Sequence, residues 1–444
     1  MVLQSLFNGS VLSSACTPST FQYPALQGAK FLTLETNFVS NYSSSIVNGY
    51  YPGHYDTEVV NANFCNVSLS YTRPGQNNTI LTQVWLPTDW NGRMQGIGGG
   101  GYGAGVYDTV FQGMYASVGD GFATVSNDAG LTQPDGIVNV TNPAWALTSV
   151  GNVNLYSLQN FGSVSLNDGA VIAKSIIQNY YGQPTRFSYW VGCSGGGRQA
   201  MMLAQEYPDA YNGIIAGSPA INWAQFFVSD YYPSFITNQI GQNPPACEFD
   251  AIVAAAISAC DGDDGIIDGV ISSPELCTFD SRSVVGMTFN CSTTGLNQTI
   301  SAAAATIAMA AWTGPKDTKN SSLWFGINKD SMLTTVNGVA GPNHFPSPEQ
   351  WVKRFIYKDE NADLSNMTTK DFTNVFHTSV QQYDSIIGTR DPNLDEFRDQ
   401  GGKLISFHGM VCFCLSIYLS AISQSKLTSA VPDRPMVSSA RMAP

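Results

Sequence analysis

Gly192-Cys193-Ser194-Gly195-Gly196 sets a serine hydroxyl among small residues in a G-x-S-x-G pattern, and the chemistry this arrangement serves is acyl transfer through a serine nucleophile. Small neighbours permit the sharp, strained turn that lifts Oγ clear of the backbone. A helix starting just after the turn would aim the Gly195 N–H at a developing oxyanion. The same five residues also occur in ordinary loops, so the reading of Ser194 as catalytic depends on its flanks. Arg186 to Val191 reads as a strand and Gly197 to Tyr207 as a helix, which is the context the motif requires.

Two further groups of residues carry chemistry. Gly98 to Gly105 is glycine-rich and follows the apolar stretch Met94 to Ile97, so its backbone can approach a ligand closely; Gly100 is the candidate for a second oxyanion donor. No G-K-[ST] closes the run, which disfavours a phosphate cradle, and a plain flexible loop is the alternative. The other group is the acidic segment Cys260 to Ile271, in which Asp261, Asp264 and Asp268 recur around glycine turns. Hard oxygen ligands at such spacing suit calcium, with the carbonyls of Ile266 and Val270 completing the set. No glutamate closes a twelve-residue loop, so it is not an EF-hand, and a solvated acidic turn is the plainer reading.

The elements that must position these residues alternate. Ile80 to Pro87, Arg93 to Ile97, Phe122 to Asn127, Phe187 to Val191 and Tyr211 to Ala216 read as short strands, and Ala170 to Tyr180 reads as a helix. Such alternation predicts an α/β fold with a largely parallel sheet. From about Pro219 the texture changes to an aromatic cluster at Trp223, Phe226, Phe227, Tyr231 and Tyr232, then to the alanine-rich stretches Ala251 to Ala259 and Ser301 to Trp312. Lys403 to Phe407 reads as a strand returning to the core. The expected organisation is therefore a first core part at 1–218, a lid with the acidic loop at 219–395, and a core return with a divergent tail at 396–444. The aromatic cluster is either lid core or a surface for stacking a ring.

Composition narrows the partners. The 444 residues include 12% charged side chains and carry a net charge of −13, which argues against nucleic acid. Asparagines 8, 41, 66, 77, 139, 290, 297, 320 and 366 each begin an N-x-[ST] acceptor, and the cysteine pattern suits an oxidising compartment, so a secreted glycoprotein is expected. No signal peptide is evident at Met1 to Asn8, and no run reaches the ~20 apolar residues of a membrane span; Met410 to Ser423 is too short, so no membrane partner is expected.

Taken together, Gly192-Cys193-Ser194-Gly195-Gly196-Gly197-Arg198, the series Asp261-x-x-Asp264-Gly265-x-x-Asp268-Gly269 and the glycine loop at 98–105 resemble the tannase and feruloyl esterase family across roughly Ser5 to Met410. The resemblance implies an α/β-hydrolase core with a large inserted lid and a structural Ca²⁺. It implies secreted carboxylic ester hydrolysis of phenolic esters, either ferulate on plant cell-wall polysaccharide such as xylan or gallate in tannins. It further implies Ser194 as the acyl-forming nucleophile and a pocket built mostly by the lid.

The same resemblance exposes a departure. The family carries its acid in an H-G-x-x-D turn and its base in a later His-Cys pair whose cysteine bonds the residue before the serine. Here His408-Gly409 begins that turn, but Cys412 stands in the acid's place, and no histidine follows His408. Asp433 is the one acid after that point. A core sheet incomplete at its C-terminal end and a chain close to inert are therefore expected, with the tail after Met410 read as a retained intron or frameshift, or else as genuine degeneration. His54, His344 and His377 read as packing or surface residues. A non-catalytic binder of phenolics or carbohydrate, and a structural calcium-bound glycoprotein, are the alternative readings. The favoured disulfides are Cys16 with Cys65 and Cys260 with Cys277, which leaves Cys247 and Cys291 for each other; Cys412 or Cys414 could take the place of the missing partner of Cys193.

Overall fold

The computed structural model describes residues 9–47, 55–131, 143–334, 339–341 and 345–409. Asn8, His54, Asn139, His344, Cys412, Cys414, Asp433 and everything else after Gly409 lie outside the described residues.

The main sheet opens with β1 (Lys30–Ile46), β2 (Thr57–Thr72), β3 (Ile80–Pro87), β4 (Arg93–Ile97) and β5 (Ala123–Asn127). A separate short pair, β6 (Leu147–Ser149) and β7 (Asn152–Val153), intervenes before β8 (Phe187–Cys193) and β9 (Gly213–Gly217) rejoin the sheet. A second separate hairpin, β10 (Thr288–Cys291) and β11 (Leu296–Thr299), precedes the last sheet strand, β12 (Lys403–Phe407). The order across the sheet is β1-β2-β3-β5-β4-β8-β9-β12. From β5 to β12 neighbouring strands run parallel, whereas β1, β2, β3 and β5 pair antiparallel. The parallel half carries Ser194. The antiparallel half is built on the β1–β2 hairpin, which the sequence reading did not contain. Its alternation is blurred by Ser, Thr and Asn, and its register shifts where Asn41 (φ 53) and Asn61 (φ 51) take left-handed backbone.

Helices cover both faces. α1 (Gly9–Ala15), α2 (Asp108–Gly119), α3 (Leu155–Gln159), α4 (Ser165–Tyr181) and α5 (Gly195–Glu206) belong to the first part of the chain. Val110, Met114 and Val118 of α2 pack on Phe64, Trp85, Ile97 and Val191. Ile172 and Ile176 of α4 join Ala200 and Leu203 of α5 against Val67, Leu69, Val84 and Met94 on the opposite face. The strand period of two separates Phe64 from Val67 and Ile97 from Met94, which is why one sheet feeds two cores.

Between Gly217 and Lys403 no described residue joins the main sheet. This insertion holds α6 (Trp223–Ile240), α7 (Ala246–Cys260), α8 (Ala302–Thr313), α9 (Ser347–Trp351) and α10 (Thr369–Ile387), with α11 (Asp395–Asp399) leading back to β12. It packs as two cores. α7 and α8 enclose one with Ile327 and Leu333. α6, Trp351, Phe355 and α10 share the other with Tyr102, Trp145 and Phe161 from the first part, so the lid is continuous with the loops that frame the serine.

Candidate active site

β8 ends at Cys193 and α5 begins at Gly195, so Ser194 alone makes the turn, with φ 58 and ψ −114. A non-glycine residue at positive φ costs about 1–3 kcal/mol, and the surroundings hold it there. The Ser194 N–H donates to Gly217 O at 2.9 Å, and Ser194 O accepts from the Arg198 N–H at 2.9 Å and from the Ala220 N–H at 3.2 Å. Glycines flank it because nothing larger fits: a Cβ on Gly192 would stand 2.3 Å from Gly196 O, and one on Gly196 would stand 2.6 Å from Gly99 O. The α5 N-terminus thus presses directly on the glycine loop.

That loop is fastened at both ends. The Gly98 N–H donates to Val191 O at 3.0 Å, while Gln199 accepts the Gly99 N–H and donates to Ala104 O, each at 2.9 Å. Gly100, the expected second oxyanion donor, gives its N–H to Gly103 O at 2.9 Å inside the loop. The tight 100–103 turn takes that donor away from a substrate and sets Gly101 beside Gly195 instead, where a Cβ on Gly195 would meet Gly101 N at 3.0 Å.

Ser194 lines a pocket of 470 Å³ whose wall includes Tyr107, Trp223, Phe226, Phe227, Asp230 and Phe345. Three of the five aromatics singled out in the sequence therefore reach it, with Trp223 stacked on Phe227 at 4.2 Å. Tyr231 and Tyr232 pack in the lid core. Burial pushes the Tyr107 hydroxyl up to about 12, against the pull of the neighbouring Gly100 N–H, so it keeps its proton at neutral pH. Tyr102 belongs to the glycine loop already singled out, whereas Tyr107 just beyond it and Phe345 from a distant loop carry no local signal that places them in the pocket.

No described histidine lines this pocket. His377 is exposed on α10 beside Phe376, at 5.9 Å between ring centroids. His408 follows β12, with Nδ1 at 3.0 Å from Gly409 O and a buried Nε2 that has no hydrogen-bond partner among the described residues. Cys193 is half-buried next to the serine, and its suggested partners Cys412 and Cys414 fall outside the described residues. Cys16 bonds Cys65, Cys260 bonds Cys277, and Cys247 bonds Cys291.

The acidic loop follows α7 and is closed by the Cys260–Cys277 bridge. Asp261 Oδ1 accepts the N–H groups of Asp268 and Gly269 at 3.1 and 2.9 Å, Asp264 Oδ1 accepts that of Ile266 at 2.8 Å, and Asp268 Oδ1 accepts that of Val270 at 3.2 Å. Each carboxylate thus folds the loop with one oxygen. The donor types suit a hard cation, but the described residues contain no cluster of three or more His, Cys, Asp or Glu side chains converging on a metal position. The loop's far end is anchored by Asp330, whose Oδ2 accepts the Ile271 N–H at 2.9 Å.

Comparison with known proteins places these features in context. A family profile described as tannase and feruloyl esterase matches residues 65–422. A probable feruloyl esterase of Arthroderma benhamiae is 37% identical over 354 residues, covering 78% of this chain and 64% of its own length. A tannase of Aspergillus oryzae is 28% identical over 393 residues, covering 78% and 65% respectively. This chain therefore spans less than two thirds of either relative. Among solved structures, a tannin acyl hydrolase from Aspergillus niger superposes with a TM-score of 0.78 at 26% identity, covering 98% of this chain and 79% of that one.

Proposed function

The chain belongs to the tannase and feruloyl esterase family, and from that premise we propose that it is a secreted carboxylic ester hydrolase of phenolic esters, acting through Ser194. The observation that carries this reading is the strained Ser194 turn opening into a pocket walled by Trp223, Phe226 and Phe227. An aromatic ring stacked there leaves the ester carbonyl near Oγ. Attack forms a tetrahedral oxyanion, which the Gly195 N–H meets, and Gly101 rather than Gly100 supplies the second donor. The acyl group is then a feruloyl or galloyl moiety, and the alcohol that departs is plant polysaccharide or tannin.

Deprotonating Ser194 needs a base, and reprotonating the alcohol needs the same group. The pocket offers no described histidine, and the sequence holds none after His408. The 444-residue chain by itself is therefore expected to turn over slowly, since losing the base of such a triad costs on the order of 10⁶ in kcat. A second reading, a non-catalytic binder of phenolics, is favoured by the pocket itself, whose described wall pairs an aromatic face with Ser194 but no histidine.

Methyl ferulate and methyl gallate separate the two readings. Hydrolysis abolished in Ser194→Ala with ligand affinity retained supports the esterase. Binding without any Ser194-dependent turnover supports the binder, and ordinary enzyme rates from the unmodified chain would contradict the expected inertness.

Calcium is proposed as a structural ion of the lid, held by the side chains of Asp261, Asp264 and Asp268 with the carbonyls of Ile266 and Val270. It has no part in the ester chemistry.

A further inference from the structure

Arg198 lies one helical turn beyond Ser194, and its side chain is fully buried. Burial pulls its guanidinium down to about 9, with no described carboxylate offsetting it. Burying a guanidinium without a counter-charge costs several kcal/mol, so an apolar residue of similar volume would suit a purely structural position better.

The geometry shows what the planar fork does there. Nη1 donates to Gly162 O at 2.7 Å and Nη2 to Phe161 O at 2.9 Å. Both carbonyls belong to a single π-helical turn, Asn160–Val164, which interrupts the helical ladder between α3 and α4. The turn is itself wedged against α10, since a Cβ on Gly162 would stand 2.6 Å from Ile386 O. The guanidinium carbon also sits 5.2 Å from the centre of the Phe161 ring and 5.9 Å from that of Trp223. Trp223 in turn stacks on Phe227, and both line the pocket with Ser194.

We infer that Arg198 is a positioning residue of the ester pocket, bracing the Trp223 wall against the helix that starts at the nucleophile. It touches neither ester nor oxyanion. It couples three elements, α5, the π turn and α6, so that the aromatic wall keeps a constant distance from Oγ. Lysine cannot substitute, because a point charge on a flexible stem cannot meet two carbonyls in one plane while holding two rings.

The inference rests on the phenolic-ester reading of the pocket, and the test keeps the two apart. Methyl ferulate is titrated by calorimetry into the full chain, Arg198→Lys, Trp223→Phe and the double variant, with near-ultraviolet circular dichroism as a check of folding. Arg198→Gln, read the same way, guards against a lysine variant that does not fold. The expected result is an affinity about tenfold weaker in Arg198→Lys, and a double variant no more than about twofold weaker than Trp223→Phe, because both changes loosen one wall. Unchanged affinity in Arg198→Lys, or losses that multiply independently in the double variant, overturns the positioning role and leaves the pocket reading intact. A parent chain that binds no methyl ferulate overturns the pocket reading and this inference with it.

Discussion

Ser194 occupies a backbone conformation its own side chain disfavours, and its three neighbouring glycines are what make that tolerable. Gly196 is the case that meets the glycine loop, with Gly99 O only 2.6 Å from where a Cβ would lie. Backbone cannot yield as a flexible side chain can. Gly196→Ala is thus expected to destabilise the fold by about 1–3 kcal/mol and to push the glycine loop off the elbow. Denaturant unfolding measures the first effect; an unchanged midpoint would show that the loop gives way freely. The same crowding bears on the proposed second donor: Gly100 closes a two-way bond with Gly103, while Gly101 lies against the helix start.

At the scale of elements, the lid is pinned where α7 ends. The Cys260–Cys277 bridge closes the acidic loop, backbone N–H groups satisfy one oxygen of each of Asp261, Asp264 and Asp268, and Asp330 ties Ile271 to the far side. Three like charges in so short a loop repel unless a cation intervenes. Chelation with EGTA is therefore expected to lower the melting temperature by several degrees, calcium to restore it, and Asp264→Asn to remove the difference. A melting temperature indifferent to both reagents would rule out the proposed ion. The long β1–β2 hairpin illustrates the opposite situation, an element held by its sheet partners and by the Cys16–Cys65 bridge rather than by any strong local signal.

For the molecule as a whole, three disulfides among the described residues and a composition of 12% charged side chains with a net charge of −13 suit an oxidising, extracellular setting. Asn41, Asn77 and Asn320 begin acceptor sequences at exposed, left-handed backbone positions, at φ 53, 50 and 63. Expression through a eukaryotic secretory pathway should yield a protein that loses mass on glycosidase treatment and shows the three bridges by peptide mapping. A secreted product with no glycan at any of these three asparagines would refute that expectation. No helix among the described residues is long and apolar enough to cross a membrane.

The elbow, the core strands around it and the aromatic segment at Trp223 were legible in the sequence because each is a local signal: glycines at positions where only glycine fits, β-branched runs bounded by turns, aromatics clustered in one stretch. The Cys16–Cys65 and Cys260–Cys277 pairs were legible as well. What the tertiary structure decided depends on contacts between residues far apart in the chain. Only packing shows that Gly100 spends its N–H on Gly103, that Tyr107 and Phe345 share a pocket with Ser194, and that Arg198 reaches a π turn some 36 positions earlier. Those arrangements follow from the balance of burial against hydrogen-bond geometry in the assembled core, and neither periodicity nor spacing along the chain encodes that balance.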